Sequence, residues 1–111
     1  MTAYAIAHLH SIDFGPELAE YLRRVDATLE MYGGRFLVHG GRQAVREGPH
    51  DGLVVVVEFP DLTAARQWYD SPEYQAIVGL RTSRARCTMI LAEKCSPGHR
   101  AIELLGGSDA G

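Results

Sequence analysis

The chain has 111 residues, 46% of them hydrophobic, and a formal net charge of −3. That length suits a single domain whose core needs no staples, and the charge offers nothing to nucleic acid or to an anionic membrane. No apolar run approaches the roughly 20 residues of a spanning helix, and the start, MTAYAIAHLH, lacks the basic segment and cleavage site of a secretory signal.

Residues 3–10 alternate: Ala3, Ala5, Ala7 and Leu9 share one face, and Tyr4, Ile6, His8 and His10 the other. Alternation of this kind predicts a strand between two environments, the small face open to close approach by helices. After a turn at 13–15, Pro16 opens a helix whose apolar stripe is Leu18, Leu22, Val25, Leu29 and Tyr32. Gly33-Gly34 ends it, with Gly33 free to take the left-handed cap conformation. Residues 35–39 predict a second strand, with Phe36 and Val38 on one face and Arg35, Leu37 and His39 on the other. Gly40-Gly41 marks a bend, and residues 42–52 a polar hairpin connection with turns at Gly48-Pro49 and Asp51-Gly52.

Residues 53–57, LVVVV, form an apolar β-branched run that suits a covered strand. Glu58 interrupts it, and Pro60 has no N–H to continue a ladder. Asp61 caps a helix carrying Leu62, Ala65, Trp68 and Tyr69 on one side. Ser71-Pro72 breaks and restarts that helix, which runs through Ile77 and Val78 to about Thr82. Arg81, Arg84 and Arg86 fit a solvated helix end, where cations favour the C-terminal dipole, or an anion site. Residues 87–94 predict the last strand. The domain is taken as residues 1–95, and residues 96–111 as a C-terminal tail in which 101–105 forms a short helical or extended arm. Cys87 and Cys95, at the two ends of one strand, would lie roughly 26 Å apart, too far for a bridge. Free thiols fit a reducing cytoplasm, the expected location.

The order β-α-β-β-α-β predicts an α+β, ferredoxin-like fold: a four-stranded antiparallel sheet with both helices on one face. The other face would carry Tyr4, Ile6, Leu37, Val54 and Val56, more apolar area than a monomer leaves wet, so a second copy of the chain is expected to cover it.

The segments YGGRFLVHGG (32–41) and VVVVEFPDLTAARQWYDSPEYQ (54–75), with the arginines at 81 and 84, resemble the domain of unknown function 1330 family over about residues 3–94. The resemblance implies a member of the dimeric α/β-barrel superfamily, a homodimer whose two sheets form a barrel. It implies no settled activity. Superfamily relatives include cofactor-free monooxygenases, haem-degrading enzymes, lactone isomerases and haem proteins of the chlorite type, an analogy of fold alone.

If the first and third strands run side by side and parallel, His8 and His10 meet Glu58, and pairing Arg35 with Glu58 also pairs His39 with Val54. His8, His10, Arg35 and Glu58 then converge at one mouth of the barrel, with Tyr69 and Tyr74 reaching in from the helix break. One reading is a polar pocket in which Glu58 or His8 is the general base, while Arg35, His10, His39, Tyr69 and Tyr74 hold a small anionic molecule. The other is an Arg35–Glu58 ion pair that fixes register or the dimer. His8 and His10 at i and i+2 share a face, but no third metal ligand is evident, so neither a metal nor a cofactor is assigned. Function is thus expected to be small-molecule binding in the barrel cavity. The alternatives are an enzyme of the cofactor-free or haem-dependent type and a non-catalytic interaction module.

Overall fold

The computed structural model describes the backbone of residues 1–110 and the side chains of residues 1–106. In β1 (Ala3–Ile12) the alternation is realised: Ala3, Ala5, Ala7 and Leu9 are buried, and Tyr4, Ile6, His8 and His10 half-buried. The helix α1 (Pro16–Glu30) buries Leu18, Tyr21, Val25, Thr28 and Leu29. Leu22, expected on that stripe, is 42% exposed, and Tyr21 takes the inward place. Gly33 ends the helical segment with φ +74°, as its cap position requires.

The strands β2 (Arg35–His39) and β3 (Leu53–Phe59) form the hairpin, and α2 (Leu62–Asp70) and α3 (Pro72–Thr82) follow. Asp61 caps α2 by accepting the Ala64 N–H at 2.7 Å, and Ser71 caps α3 through the Tyr74 N–H at 3.1 Å. The last strand, β4 (Ala85–Glu93), starts earlier than the composition implies, so Arg86 lies on a strand. The arm is helical from Glu103, as α4 (Glu103–Ala110), with Ile102, Leu104 and Leu105 exposed.

The sheet order is β2-β3-β1-β4, antiparallel throughout. The core lies between one sheet face and the helices, where Trp68, Tyr74, Phe59 and Ile77 are the largest fully buried side chains. This four-stranded α+β architecture is the one expected from the element order, with two corrections that bear on the site.

First, β1 and β3 are antiparallel, Tyr4 pairing with Glu58 and His8 with Val54. A right-handed crossover brings β2 back parallel to β1, and the hairpin then reverses β3. His8 and His10 therefore sit at the opposite end of the sheet from Glu58. Second, Arg35 does pair with Glu58, but the ladder slips between Phe36 and Val38, so His39 pairs with Val55 rather than Val54. One extra residue in a bulge inverts the parity of everything beyond it. Phe36 and His39 consequently share the helix-side cavity, and Val38 pairs with Val56.

Candidate functional site

Alanines on the sheet floor set the site. Ala5 and Ala7 offer only methyl groups beneath α1, so helix and sheet meet without filling the space between them. The result is a cavity of about 270 Å³, almost wholly apolar. Tyr21 and Val25 of α1, Val55 and Val57 of β3, Met89 of β4 and Trp68 of α2 contribute to its wall. Phe14 and Leu22, 72% and 42% exposed, line it as well, beside His39 and Gly40. This void lies in the helix layer and not, as expected, on the sheet face that a barrel would enclose.

One charged group enters this apolar space. Arg81, on α3, is only 5% exposed and lines the cavity. Its Nη2 donates to the Tyr74 hydroxyl at 3.3 Å, and the Tyr74 and Tyr21 hydroxyls are 2.8 Å apart. The guanidinium carbon lies 5.7 Å from the centre of the Tyr21 ring, within cation–π range. Among the described residues no carboxylate forms an ion pair with Arg81, and its buried Nε–H has no acceptor. Burial opposes the charge on Arg81, yet the Tyr74 and Tyr21 oxygens outweigh it and hold the pKa above the ordinary arginine value. Burial, then the Tyr74 oxygen, pushes the Tyr21 phenol well above its usual range, so Tyr21 stays neutral. Either hydroxyl of the Tyr21–Tyr74 pair can donate to the other, and when Tyr74 donates, the Tyr21 proton is left for an acceptor in the cavity. Trp68 donates its indole N–H to Thr28 at 3.0 Å and thus braces the helix layer.

The residues expected to converge do not. Arg35 and Glu58 pair at 2.7 Å at the Tyr4 end of β1, with the Arg35 side chain 71% exposed. Tyr69 meets Trp68 edge-on and Tyr74 lies tilted against it, both in the helix layer. His39 lines the cavity, while His8 and His10 gather at the other end of the open sheet face around Asp51, a residue of the hairpin connection. An exposed ion pair contributes at most about 1 kcal/mol. Glu58→Gln is therefore expected to lower stability by less than about 1 kcal/mol and to leave ligand binding in the cavity unchanged, as read by denaturant unfolding and ligand titration. A loss of binding with the fold intact would return Glu58 to the site.

Arg81 was the residue that sequence reasoning placed elsewhere. Its signal was present: Tyr74, Ile77 and Arg81 recur at three and four residues, so Arg81 extends the buried stripe of α3. Arg84, by contrast, is the solvated cation expected, pairing with Glu17 at 3.0 Å and Asp13 at 3.5 Å.

A family model, Domain of unknown function (DUF1330), matches residues 2–95. The chain belongs to that family. No curated protein matches it. Among solved structures, a protein of unknown function from Rhodopseudomonas palustris is 19% identical, with 86% of this chain and 84% of that one covered at a TM-score of 0.66. A dimeric ferredoxin-like protein of unknown function from Jannaschia is 14% identical, covering 85% and 100% at 0.57. A variant of SnoaB, a cofactor-independent oxygenase from Streptomyces nogalater, is 15% identical, covering 88% and 98% at 0.58. At these identities the likeness to this DUF1330 chain is one of fold, ferredoxin-like as in the Jannaschia protein.

Proposed function

We propose that this DUF1330 chain is a homodimeric protein that binds a small, planar, largely apolar anion in the cavity beneath α1. The observation that carries this reading is Arg81: a buried cation that lines an otherwise apolar void and that, among the described residues, has no carboxylate partner and keeps a buried N–H without an acceptor. A lone buried charge is costly, and an anion brought by a ligand supplies the missing partner. Arg presents a planar fork that grips carboxylates. A void of about 150 Å³ holds benzene, so 270 Å³ has room for a one- or two-ring molecule. The Tyr21 hydroxyl, when Tyr74 donates to it, supplies a second, neutral donor. No helix of the described residues is long and apolar enough to cross a membrane, and both cysteines are unpaired, which fits a reducing cytoplasm. The dimer reading draws on the dimeric Jannaschia relative and on the apolar open sheet face.

The test compares 2-naphthoate with 2-naphthamide, which differ chiefly in charge. Naphthoate is expected to raise the melting temperature and titrate to saturation, and the amide to bind at least about tenfold more weakly, a difference of about 1.4 kcal/mol. Arg81→Gln should abolish that preference while leaving the amide's affinity unchanged. Equal binding of the two by wild-type protein overturns the reading.

A second reading has one observation in its favour. His39, an ionisable base, lines the same cavity as Arg81, and one relative of this fold is a cofactor-independent oxygenase. A phenol deprotonated at His39 and held by Arg81 is the electron-rich form that such chemistry needs. Oxygen uptake with a two-ring dihydric phenol, lost in His39→Ala but not in Glu58→Gln, supports that alternative; uptake no faster than in buffer removes it.

A further inference from the structure

We propose that His8, His10 and Asp51 form a binding site for a divalent transition ion of the zinc type, separate from the cavity. The strand supplies two imidazoles from one face at i and i+2, and the hairpin connection brings the third ligand from 41 residues away along the chain. Asp51 Oδ1 lies 3.5 Å from His8 Nε2 and 3.1 Å from His10 Nδ1, and all three ligand atoms fall within 4.8 Å of one another. Zinc–nitrogen and zinc–oxygen bonds of about 2.0–2.2 Å at a tetrahedral angle place ligand atoms roughly 3.3–3.5 Å apart. Both Asp51 contacts are already near that spacing, and two imidazoles with one carboxylate are a donor set that borderline-soft ions take.

Two neighbours strengthen the assignment. His10 Nε2 lies 3.1 Å from Thr88 Oγ1. When a metal occupies Nδ1, that hydroxyl accepts a hydrogen bond from the Nε2–H and holds the ring in the ligating tautomer, the kind of outer contact found behind ligating histidines. The His50 ring stacks on His8 with centroids 5.1 Å apart, a third imidazole beside the cluster. The ligands are partly open to solvent, with 30%, 23% and 58% of the His8, His10 and Asp51 side chains exposed, which gives an entry path. Two features compete with the ion. His8 Nε2 shares a 2.6 Å hydrogen bond with the Asp51 carbonyl, and Arg86 lies 3.5 Å from Asp51 Oδ2. The first breaks on metallation, when the neutral His8 ring carries its proton on Nδ1 and offers the Nε2 lone pair to the ion. The Arg86 side chain, 66% exposed, is free to swing into solvent.

The experiment uses the full chain without an affinity tag, stripped with EDTA and titrated with Zn2+ against a chromogenic chelator. The expected result is one Zn2+ per chain, with intense visible bands when Co2+ replaces it. His8→Ala and Asp51→Asn should each weaken binding at least about tenfold, with folding confirmed by circular dichroism. His99→Ala and the double variant Cys87→Ser with Cys95→Ser should bind as wild type. Unchanged Zn2+ affinity in both His8→Ala and Asp51→Asn overturns the assignment, as does loss of binding with the cysteines alone. Wild-type protein that fails to compete with the chelator also overturns it. Naphthoate binding in the cavity is expected to be unaffected by His8→Ala, which separates this site from the other.

Discussion

Gly52→Ala is expected to destabilise the protein by about 2–5 kcal/mol, combining roughly 1–2 for a left-handed non-glycine residue with about 1–3 for overpacking. Gly52 has φ +66°, and a Cβ there would sit 1.7 Å from the Leu9 carbonyl oxygen, deep inside its van der Waals surface. That atom is backbone within the ladder of β1, so it cannot rotate away as a flexible side chain does. The contact exists because the hairpin connection folds tightly against the end of β1 before Leu53 pairs with Leu9. The same approach brings Asp51 to His8 and His10. Gly48 is the internal control: its φ is +67°, but a Cβ there meets nothing within 4 Å. Gly48→Ala should therefore pay for conformation alone. Thermal melts should place Gly52→Ala at least roughly 10 °C below wild type, consistent with about 4–8 °C per kcal/mol in a domain of this size. Gly48→Ala should fall well short of that. Coincident melts of the two variants would show that the connection relaxes away from β1 at little cost, and Asp51 would then not be held in place.

Much of the fold was legible because its signals are local. The alternation of Ala3 to His10, the caps at Asp61 and Ser71 and the terminator at Gly33 each need only a few neighbouring residues to act. The Arg35–Glu58 pairing was also legible, since a hairpin ties the two strands in register. The site was less so, for three physical reasons. A bulge has no sequence mark as strong as a turn, and the one between Phe36 and Val38 sends His39 to the helix side. Strand direction is a property of the whole topology, and reading β1 and β3 as parallel moved His8 and His10 to the wrong end of Glu58. Arg81 satisfies two rules at once, a cation in the last turn of a helix and a member of the buried stripe; burial against Tyr21 and Tyr74 decided between them. Asp51 was read only as a turn residue because its partners lie on another strand.

Val56→Asp is expected to turn a dimer into a folded monomer. Val56 sits at the centre of the open sheet face, opposite Ile6 on β1 and Val38 on β2, and Ile6 in turn faces Ile90 on β4. In the single chain Ile90 is 54% and Val38 42% exposed, so this apolar centre has no cover of its own. Polar groups flank it at both ends, Arg35 and Glu58 at one and His8, His10, Asp51 and Arg86 at the other. An apolar centre with a polar rim is the anatomy of a protein interface, and a two-fold axis through Val56 would lay the face on its own copy. Two carboxylates brought together there would be desolvated, unpaired and mutually repelling, a cost of several kcal/mol that a dimer of ordinary affinity does not survive. In the separated chain this position is half-buried on a sheet face open to water, so circular dichroism should show the fold retained. Sedimentation should give a dimer for wild type at micromolar concentration and a monomer for Val56→Asp. A wild-type monomer would remove the dimer altogether, and a Val56→Asp dimer would move the interface to another surface, with the exposed Ile102, Leu104 and Leu105 of the C-terminal arm the next to test.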